Sequence, residues 1–326
     1  MTSTPLLQVE GLCIDFMQRR GALRAISDVS LTLNPGELLG MVGESGAGKS
    51  LTGSAITGLL EHPGHISHGQ IHFKGQRIDR LDERQRRALR GREIGSIFQD
   101  PLTSLNPVIT VGEQLIETIR THLPLNEKQA RQHAVRLLAE VGINSPEQRM
   151  AQYPHQFSGG MRQRIIIALV LCVSPSLVIA DEPTTALDVS VQAQVLGLLK
   201  RLCKQSQTAV MLITHDMGVI AEICDRVAVM YAGRLVEIGP VNQILMHPQH
   251  PYTQGLMASI PSLHQREARL RQIEGAMPRL NQLPQGCAFH PRCPHGSLQC
   301  RQQIPALKPV GEVQVACLQC EEEESR

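Results

Sequence analysis

Eight consecutive residues near the N-terminus have the pattern of a loop that binds phosphate groups. They are Gly43, Glu44, Ser45, Gly46, Ala47, Gly48, Lys49 and Ser50. Glycines lack a Cβ, so backbone N–H groups approach a phosphate closely, and the N-terminus of the following helix attracts the same anion. After an apolar strand, the pattern predicts that Lys49 reaches the β- and γ-phosphates of a nucleotide and that Ser50 binds Mg²⁺. The alternative is a glycine turn with no ligand.

Two adjacent carboxylates, Asp181 and Glu182, follow a second apolar run at residues 177–180. Carboxylate oxygens suit Mg²⁺, and a carboxylate beside a bound water can orient or deprotonate it. We therefore predict that Asp181 holds Mg²⁺, directly or through water, and that Glu182 activates the water that attacks the γ-phosphate. The alternative is a plain strand that ends in two carboxylates.

A second glycine loop, formed by Ser158, Gly159 and Gly160, precedes an apolar helical stretch. A helix N-terminus of this kind can wrap a γ-phosphate. Residues 43–50 already account for one nucleotide, so this loop predicts a second nucleotide that is held on a facing subunit.

The nine cysteines are unevenly placed along the chain. Four are scattered through regular segments and are predicted to be small buried residues: Cys13, Cys172, Cys203 and Cys224. Five crowd the C-terminal end: Cys287, Cys293, Cys300, Cys317 and Cys320. In a cytosolic chain such crowding favours metal binding over disulfides, and four thiolates suit Zn²⁺ or an iron–sulfur cluster. Unliganded reduced thiols are the alternative.

The strands and helices that would position these residues follow from the hydrophobic pattern. Strands are predicted at 6–16, 29–33, 38–42, 71–73, 177–180 and 210–214, and a hairpin at 227–238 turns at Ala232-Gly233. Residues 80–92 and 108–142 are predicted to be helical, with Asn126 as an N-cap and Gly142 as a stop. Short apolar strands that alternate with helices predict a mostly parallel α/β core.

Composition excludes several classes of protein. The net charge of +2 argues against a protein that coats nucleic acid, and five Phe, three Tyr and no Trp argue against a stacking platform for single strands. The longest apolar run, 165–173, is shorter than the roughly 20 residues that span a bilayer, so a buried core helix is expected there. With no signal-peptide pattern in 1–8, we expect a soluble cytoplasmic chain that meets a membrane only through a partner.

The order of these motifs resembles the ATP-binding cassette family over about residues 6–250. The phosphate loop, the serine–glycine loop and the acidic pair each stand where the family has them, although Met161 occupies a position where many members carry Gln. Residues 186–188, Ala-Leu-Asp, are similar to the family's dimer-contact loop.

The resemblance implies roles for three further residues. Gln99 corresponds to the family's glutamine loop and is implied as a Mg²⁺ ligand and a participant in catalysis. His215, which follows the predicted strand 210–214, corresponds to the switch histidine that faces the γ-phosphate. Phe16 is the candidate for stacking on adenine, because it is the only aromatic residue before Lys49.

Three stretches, 98–107, 247–253 and 286–293, resemble the ATPases of dipeptide and oligopeptide importers, of the D-component type. The resemblance and the wide spacing of the cysteines favour a [4Fe–4S] cluster on Cys287, Cys293, Cys300 and Cys317. Zinc stays open as an alternative, and Cys320 is an alternative fourth ligand.

We therefore expect an α/β fold: a P-loop ATP-binding cassette at 1–250, with an inserted helical subdomain at about 100–160, and a cysteine-rich extension at 251–326. The implied function is ATP hydrolysis that powers import of di- or oligopeptides or related amides, at the cytoplasmic face of the inner membrane. The implied partners are two transmembrane permease subunits, a second related ATPase and, through the complex, an extracytoplasmic solute-binding protein, with no nucleic acid. The alternatives are an importer for another solute, such as nickel or a sugar, and a soluble cassette ATPase without a transport role.

Overall fold

The computed structural model describes residues 4–19, 21–100, 104–185, 187–259 and 272–320. Its contacts divide the chain into two compact units. The first unit takes its residues from Met1–Leu33, Leu39–Asp79 and Ile213–Arg326, and the second from Asn34–Leu38 and Arg80–Leu212. The predicted domain boundary at 250/251 falls inside the first unit, so the division into a cassette and an extension stays a prediction.

The first unit contains a four-stranded antiparallel sheet in the order β2-β1-β4-β5. Its strands are β1 (Leu7–Gln18), β2 (Gly21–Leu33), β4 (Gly64–Phe73) and β5 (Gln76–Arg77). Strands β1 and β2 form one long hairpin that the sequence pattern only partly predicted, because polar residues near its turn hide the alternation. There Arg24 pairs with Asp15 at 2.9 Å and links the two strands.

The strand that leads into the phosphate loop is β3 (Leu38–Val42), as predicted, and all five residues are buried. Within the first unit it runs parallel to β9 (Arg226–Tyr231). The predicted hairpin from β9 to β10 (Arg234–Pro240) is also confirmed. Ala232 and Gly233 take φ angles of +46° and +79°, which a two-residue turn of this hand requires. Two short strands that were not predicted, β12 (Val313–Val315) and β11 (Lys308–Val310), extend this sheet beyond β10.

Four helices complete the regular structure of the first unit as far as it is described. They are α1 (Lys49–Thr57), α8 (Met217–Ile223), α9 (Val241–Met246) and α10 (Pro251–Ala258). Beyond α10 the described chain has short 3-10 turns at Leu280–Gln282, His290–Arg292 and Gln299–Arg301. This C-terminal stretch, residues 272–320, is called the C-terminal segment below.

The second unit places three strands side by side in the order β8-β7-β6. They are β6 (Ile94–Ile97), which was not predicted, β7 (Leu177–Asp181) and β8 (Ala209–Ile213), and β6 runs parallel to β7. Its helices are α2 (Glu83–Leu89), α3 (Val111–His122), α4 (Glu127–Glu140), α5 (Pro146–Arg149), α6 (Gly159–Leu171) and α7 (Val189–Ser206). The predicted cap is confirmed, because the Asn126 side chain accepts a hydrogen bond from the Gln129 N–H.

The predicted buried helix at 165–173 corresponds to the second half of α6 and the residues after it. Ile165, Ile166, Ile167 and Ala168 are all buried. Over the ranges that the structure describes, no helix combines the length and the apolar character needed to cross a membrane.

Candidate nucleotide-binding site

The phosphate loop of the first unit has a backbone that its glycines make possible. Gly43, Gly46 and Gly48 have φ angles of +152°, +83° and +104°, a region that other residues rarely enter. A Cβ on Gly43 would collide with the carbonyl oxygen of Met230 on β9. The loop therefore lies directly against the sheet, and an alanine at position 43 cannot be accommodated without moving one of them.

Lys49 is the first residue of α1, and its side chain folds back into the loop. Its Nζ donates hydrogen bonds to the carbonyl oxygens of Gly43 at 2.8 Å and Glu44 at 3.1 Å, and the residue is buried. Gly48 is the N-cap of α1 and has no side chain that could cap the first N–H groups of the helix. An ammonium group and a helix N-terminus thus meet where the motif predicts the phosphates.

The carboxylate of Glu182 is held by two side chains of the second unit. Gln99 Nε2 donates to Glu182 Oε2 at 3.2 Å, and Thr185 Oγ1 lies 2.9 Å from the same oxygen. Glu182 itself takes a φ of +44°, directly after Asp181, which ends β7. The structure thus places Gln99 beside Glu182, which directly follows Asp181, and it adds Thr185, which sequence reasoning missed.

The serine–glycine loop forms the start of α6 in the second unit. Ser158 is the N-cap, and its Oγ accepts a hydrogen bond from the Met161 N–H at 3.4 Å. Ser158 and Gly159 are exposed. Gly160 faces α7, and a Cβ there would stand only 2.5 Å from Val191 Cγ1. The loop therefore presents its serine and its first glycine to the outside and keeps its second glycine against a helix.

His215 and Phe16 both belong to the first unit. His215 is exposed in the loop between β8 and α8, next to Asp216, whose carboxylate caps α8. Phe16 is half-buried near the end of β1, and its ring lies about 3.0 Å from the position of a Cβ on Gly64. The adenine-stacking role of Phe16 stays a prediction. Residues 101–103 and Ala186, which belong to the motifs quoted above, lie outside the described residues.

Four of the five C-terminal cysteines line one cavity, which we call the cysteine cavity: Cys287, Cys293, Cys300 and Cys317. Cys320 does not line it, and its Sγ lies 3.6 Å from the Gln249 carbonyl oxygen. These four are the ligand set that the resemblance implied. The scattered cysteines, Cys13, Cys172, Cys203 and Cys224, are buried, as predicted.

The surroundings of the cysteine cavity shift the pKa values of its thiols in different directions. Burial raises the pKa of Cys287 to about 11 and also raises that of Cys293. A hydrogen bond from Cys320 lowers the pKa of Cys317 to about 6. Within the described parts of the chain, no group of three or more His, Cys, Asp or Glu side chains is arranged to hold a metal ion. The predicted cluster thus has its donors around one cavity but no preformed coordination site.

Sequence reasoning missed two residues that touch the phosphate loop. Tyr252 and Arg292, from α10 and the C-terminal segment, both bond to Glu44. Each lies in a stretch that resembled the peptide importers, and that was the only signal available, because neither stretch adjoins the phosphate loop in sequence.

Two family models match the chain. The model for ABC transporters matches residues 26–185, and the model for the oligopeptide/dipeptide transporter C-terminal region matches residues 236–300. The first match contains the phosphate loop and the acidic pair, and the second contains Tyr252, Arg292 and three of the cavity cysteines.

Known proteins are similar over most of their length. The dipeptide transport ATP-binding protein DppD of Bacillus subtilis is 47% identical over 301 residues, covering 92% of this chain and 90% of that protein. The oligopeptide transport ATP-binding protein OppD of Salmonella typhimurium is 48% identical over 300 residues, with coverages of 92% and 89%. The ATP-binding cassette MJ0796, solved as a dimer in a post-hydrolysis state, has a TM-score of 0.64 at 24% identity, covering 72% of this chain and 98% of that one, which shows a common fold.

Proposed function

Since this chain belongs to the ABC transporter family of ATP-binding proteins, we propose that it is the subunit that hydrolyses ATP to drive import of di- or oligopeptides. Two findings support the peptide substrate. The match to a peptide-transporter C-terminal region extends over residues 236–300, and relatives 44–48% identical over most of the chain are named for dipeptide and oligopeptide transport.

The residues of the site have the following proposed roles. Lys49 and the N–H groups of the phosphate loop bind the β- and γ-phosphates. Glu182, held by Gln99 and Thr185, accepts the proton of the attacking water, and His215 faces the γ-phosphate. The hydroxyl of Ser50, the carboxylate of Asp181 and the amide oxygen of Gln99 are hard oxygen donors that fit Mg²⁺. When bound, the ion neutralises charge that develops on the phosphates.

The serine–glycine loop is proposed to act on a nucleotide bound to a second, related ATPase subunit. Its support is the exposure of Ser158 and Gly159 at the start of a helix, in a chain that already has one phosphate loop. Ser158→Arg should leave ATP binding by the purified chain at the parent value and block turnover of the assembled pair. Equal loss of binding by the single chain would contradict the two-chain site.

The assembly is proposed to sit at the cytoplasmic face of the inner membrane, with two permease subunits and, through them, a solute-binding protein. In this proposal residues 1–250 form the cassette, the helices at about 100–160 contact the permeases, and residues 251–326 form the extension. The exposed side of α3 and α4 is the candidate coupling surface.

The cysteine cavity is proposed to take a metal group bound by thiolates, either a [4Fe–4S] cluster or zinc. Cys287, Cys293, Cys300 and Cys317 are the proposed ligands, because all four line the cavity and Cys320 does not. Anaerobic purification followed by metal analysis should find about four irons per chain, and Cys317→Ser should lose them whereas Cys320→Ser should not. If the analysis finds stoichiometric zinc and no iron, the proposed group is zinc and not an iron–sulfur cluster. If it finds neither metal, the cavity is not a metal site.

The peptide proposal is tested in the reconstituted complex with its permeases and cognate binding protein. ATP hydrolysis is measured with dipeptides, oligopeptides, nickel and a sugar as the offered solutes. Stimulation by peptides is expected. Stimulation by nickel or the sugar alone would assign the chain to a different importer, and failure to associate with any permease would remove the transport role.

A further inference from the structure

The C-terminal segment reaches the phosphate loop through an ion pair. Arg292 Nη1 donates to Glu44 Oε1 at 2.8 Å, across a sequence separation of 248 residues. The arginine side chain is only 7% exposed and that of Glu44 30%. A partly buried pair of this kind is screened by salt less than a fully exposed pair. Removing the arginine would leave the half-buried Glu44 carboxylate without this partner.

A second contact holds the backbone of the same loop residue. The Glu44 N–H donates to the Tyr252 hydroxyl oxygen at 2.9 Å, and Tyr252 is completely buried in α10. Burial raises the pKa of Tyr252, so the hydroxyl stays neutral. Glu44 is therefore held at its side chain by one residue and at its backbone by another.

Both anchors are fixed in turn by neighbouring groups. The rings of Tyr231, Tyr252 and Phe289 form a cluster with centroid separations of 4.7 to 5.5 Å. Arg292 also donates to the carbonyl oxygens of Glu274 at 2.9 Å and Gly275 at 3.2 Å, and so it ties the start of the C-terminal segment to the loop.

We propose that Arg292 and Tyr252 are positioning residues of the ATP site, through which the C-terminal segment sets the affinity of the phosphate loop for ATP. Both would act through Glu44, which each of them contacts. The structure thus gives the cysteine-rich end of the chain a role in nucleotide binding that is separate from any metal it holds.

The two anchors preorganise the phosphate loop for ATP. A loop with three glycines has a large conformational freedom in the absence of ligand, and ATP binding must pay the entropy of ordering it. Two external anchors on Glu44 order the loop in advance. Coupling energies between sites correspond to affinity changes of roughly fivefold to 150-fold, and we expect about tenfold for loss of the arginine anchor.

Two variants test the proposal in the purified full-length chain. Arg292→Gln removes the charge and the fork, and Tyr252→Phe removes only the hydroxyl oxygen and keeps the ring in its cluster. Both should weaken MgATP binding, about tenfold and a few-fold respectively. Arg292→Lys, which keeps the charge, should recover part of the loss. The matched controls are Arg301→Gln, at an exposed arginine of the same segment, and Tyr153→Phe, at an exposed tyrosine; both should bind like the parent.

The unfolding midpoint without nucleotide separates positioning from folding. Tyr252→Phe should weaken binding at a midpoint close to the parent's, so the test stands even if Arg292→Gln folds poorly. A double-mutant cycle with Glu44→Gln gives the second criterion. If Arg292 acts through Glu44, the two losses are not additive. The double variant then binds ATP no more weakly than whichever of Arg292→Gln and Glu44→Gln has the lower affinity. Parent-like affinity in both Arg292→Gln and Tyr252→Phe, or losses that simply multiply in the cycle, would overturn the proposal.

This inference uses the ATPase family of the chain and does not depend on peptides or on a metal. ATP binding is measured on the chain alone, so a complex that responds only to nickel would defeat the peptide proposal and leave these results unchanged. Conversely, parent-like binding in the variants would defeat the inference and leave the peptide proposal intact.

Discussion

At the scale of single residues, Glu182 is the proposed base. One of its carboxylate oxygens accepts hydrogen bonds from Gln99 and Thr185. Glu182→Gln keeps the shape and one acceptor oxygen but removes the basic charge. We expect ATP binding close to that of the parent and turnover in the assembled complex lower by roughly a hundredfold or more. Binding and steady-state hydrolysis, measured on the same preparation, check both parts.

Glu222→Gln is the control, because it makes the same chemical change at an exposed glutamate on α8. It should hydrolyse ATP like the parent. If Glu182→Gln also did so, the group that activates water would have to be sought elsewhere.

At the scale of elements, the packing of α6 against α7 requires a glycine at position 160. A Cβ on Gly160 would stand 2.5 Å from Val191 Cγ1, whereas one on Gly159 would meet Leu187 Cδ2 at an ordinary 3.4 Å. Gly160→Ala should therefore lower the free energy of unfolding by about 1–3 kcal/mol, the usual cost of overpacking. Chemical denaturation of the purified chain measures this loss.

Two further variants identify the cause. Gly159→Ala should be neutral or stabilise by up to about 1 kcal/mol, since alanine favours a helix over glycine. Adding Val191→Ala to Gly160→Ala should recover most of the loss, because it removes the methyl group that the new Cβ meets. A double variant as unstable as Gly160→Ala alone would show that the close contact is not the reason.

At the scale of the whole molecule, two adjacent residues of the C-terminal segment connect the cysteine cavity to the phosphate loop. Cys293 lines the cavity and directly follows Arg292, the residue that bonds Glu44. A change at the cavity should therefore reach the ATP site. We expect Cys293→Ser to weaken ATP binding by the purified chain, in the direction of Arg292→Gln and by a smaller factor.

Cys320→Ser is the matched control, because Cys320 belongs to the same segment and does not line the cavity, and serine keeps a donor for the hydrogen bond to Cys317. Its ATP affinity should equal that of the parent. Equal affinities in Cys293→Ser, Cys320→Ser and the parent would mean that the cavity and the loop are energetically independent.

The sequence by itself determined the nucleotide chemistry. The phosphate loop, the acidic pair after β7 and the strand Leu38–Val42 could all be read because each is a local pattern of consecutive residues. The turn at Ala232-Gly233 and the cap at Asn126 could be read for the same reason, since turn and cap chemistry act over a few residues.

Only the tertiary structure decided which distant residues meet. Strands β6, β11 and β12 are three or four residues long, which is too short for a recognisable hydrophobic alternation. Their pairing depends on partners far along the chain. The selection of Cys317 over Cys320 at the cavity depends on how the segment folds back. The contact of Arg292 with Glu44 joins residues 248 positions apart, and local patterns carry no information about such a contact because packing alone brings its partners together.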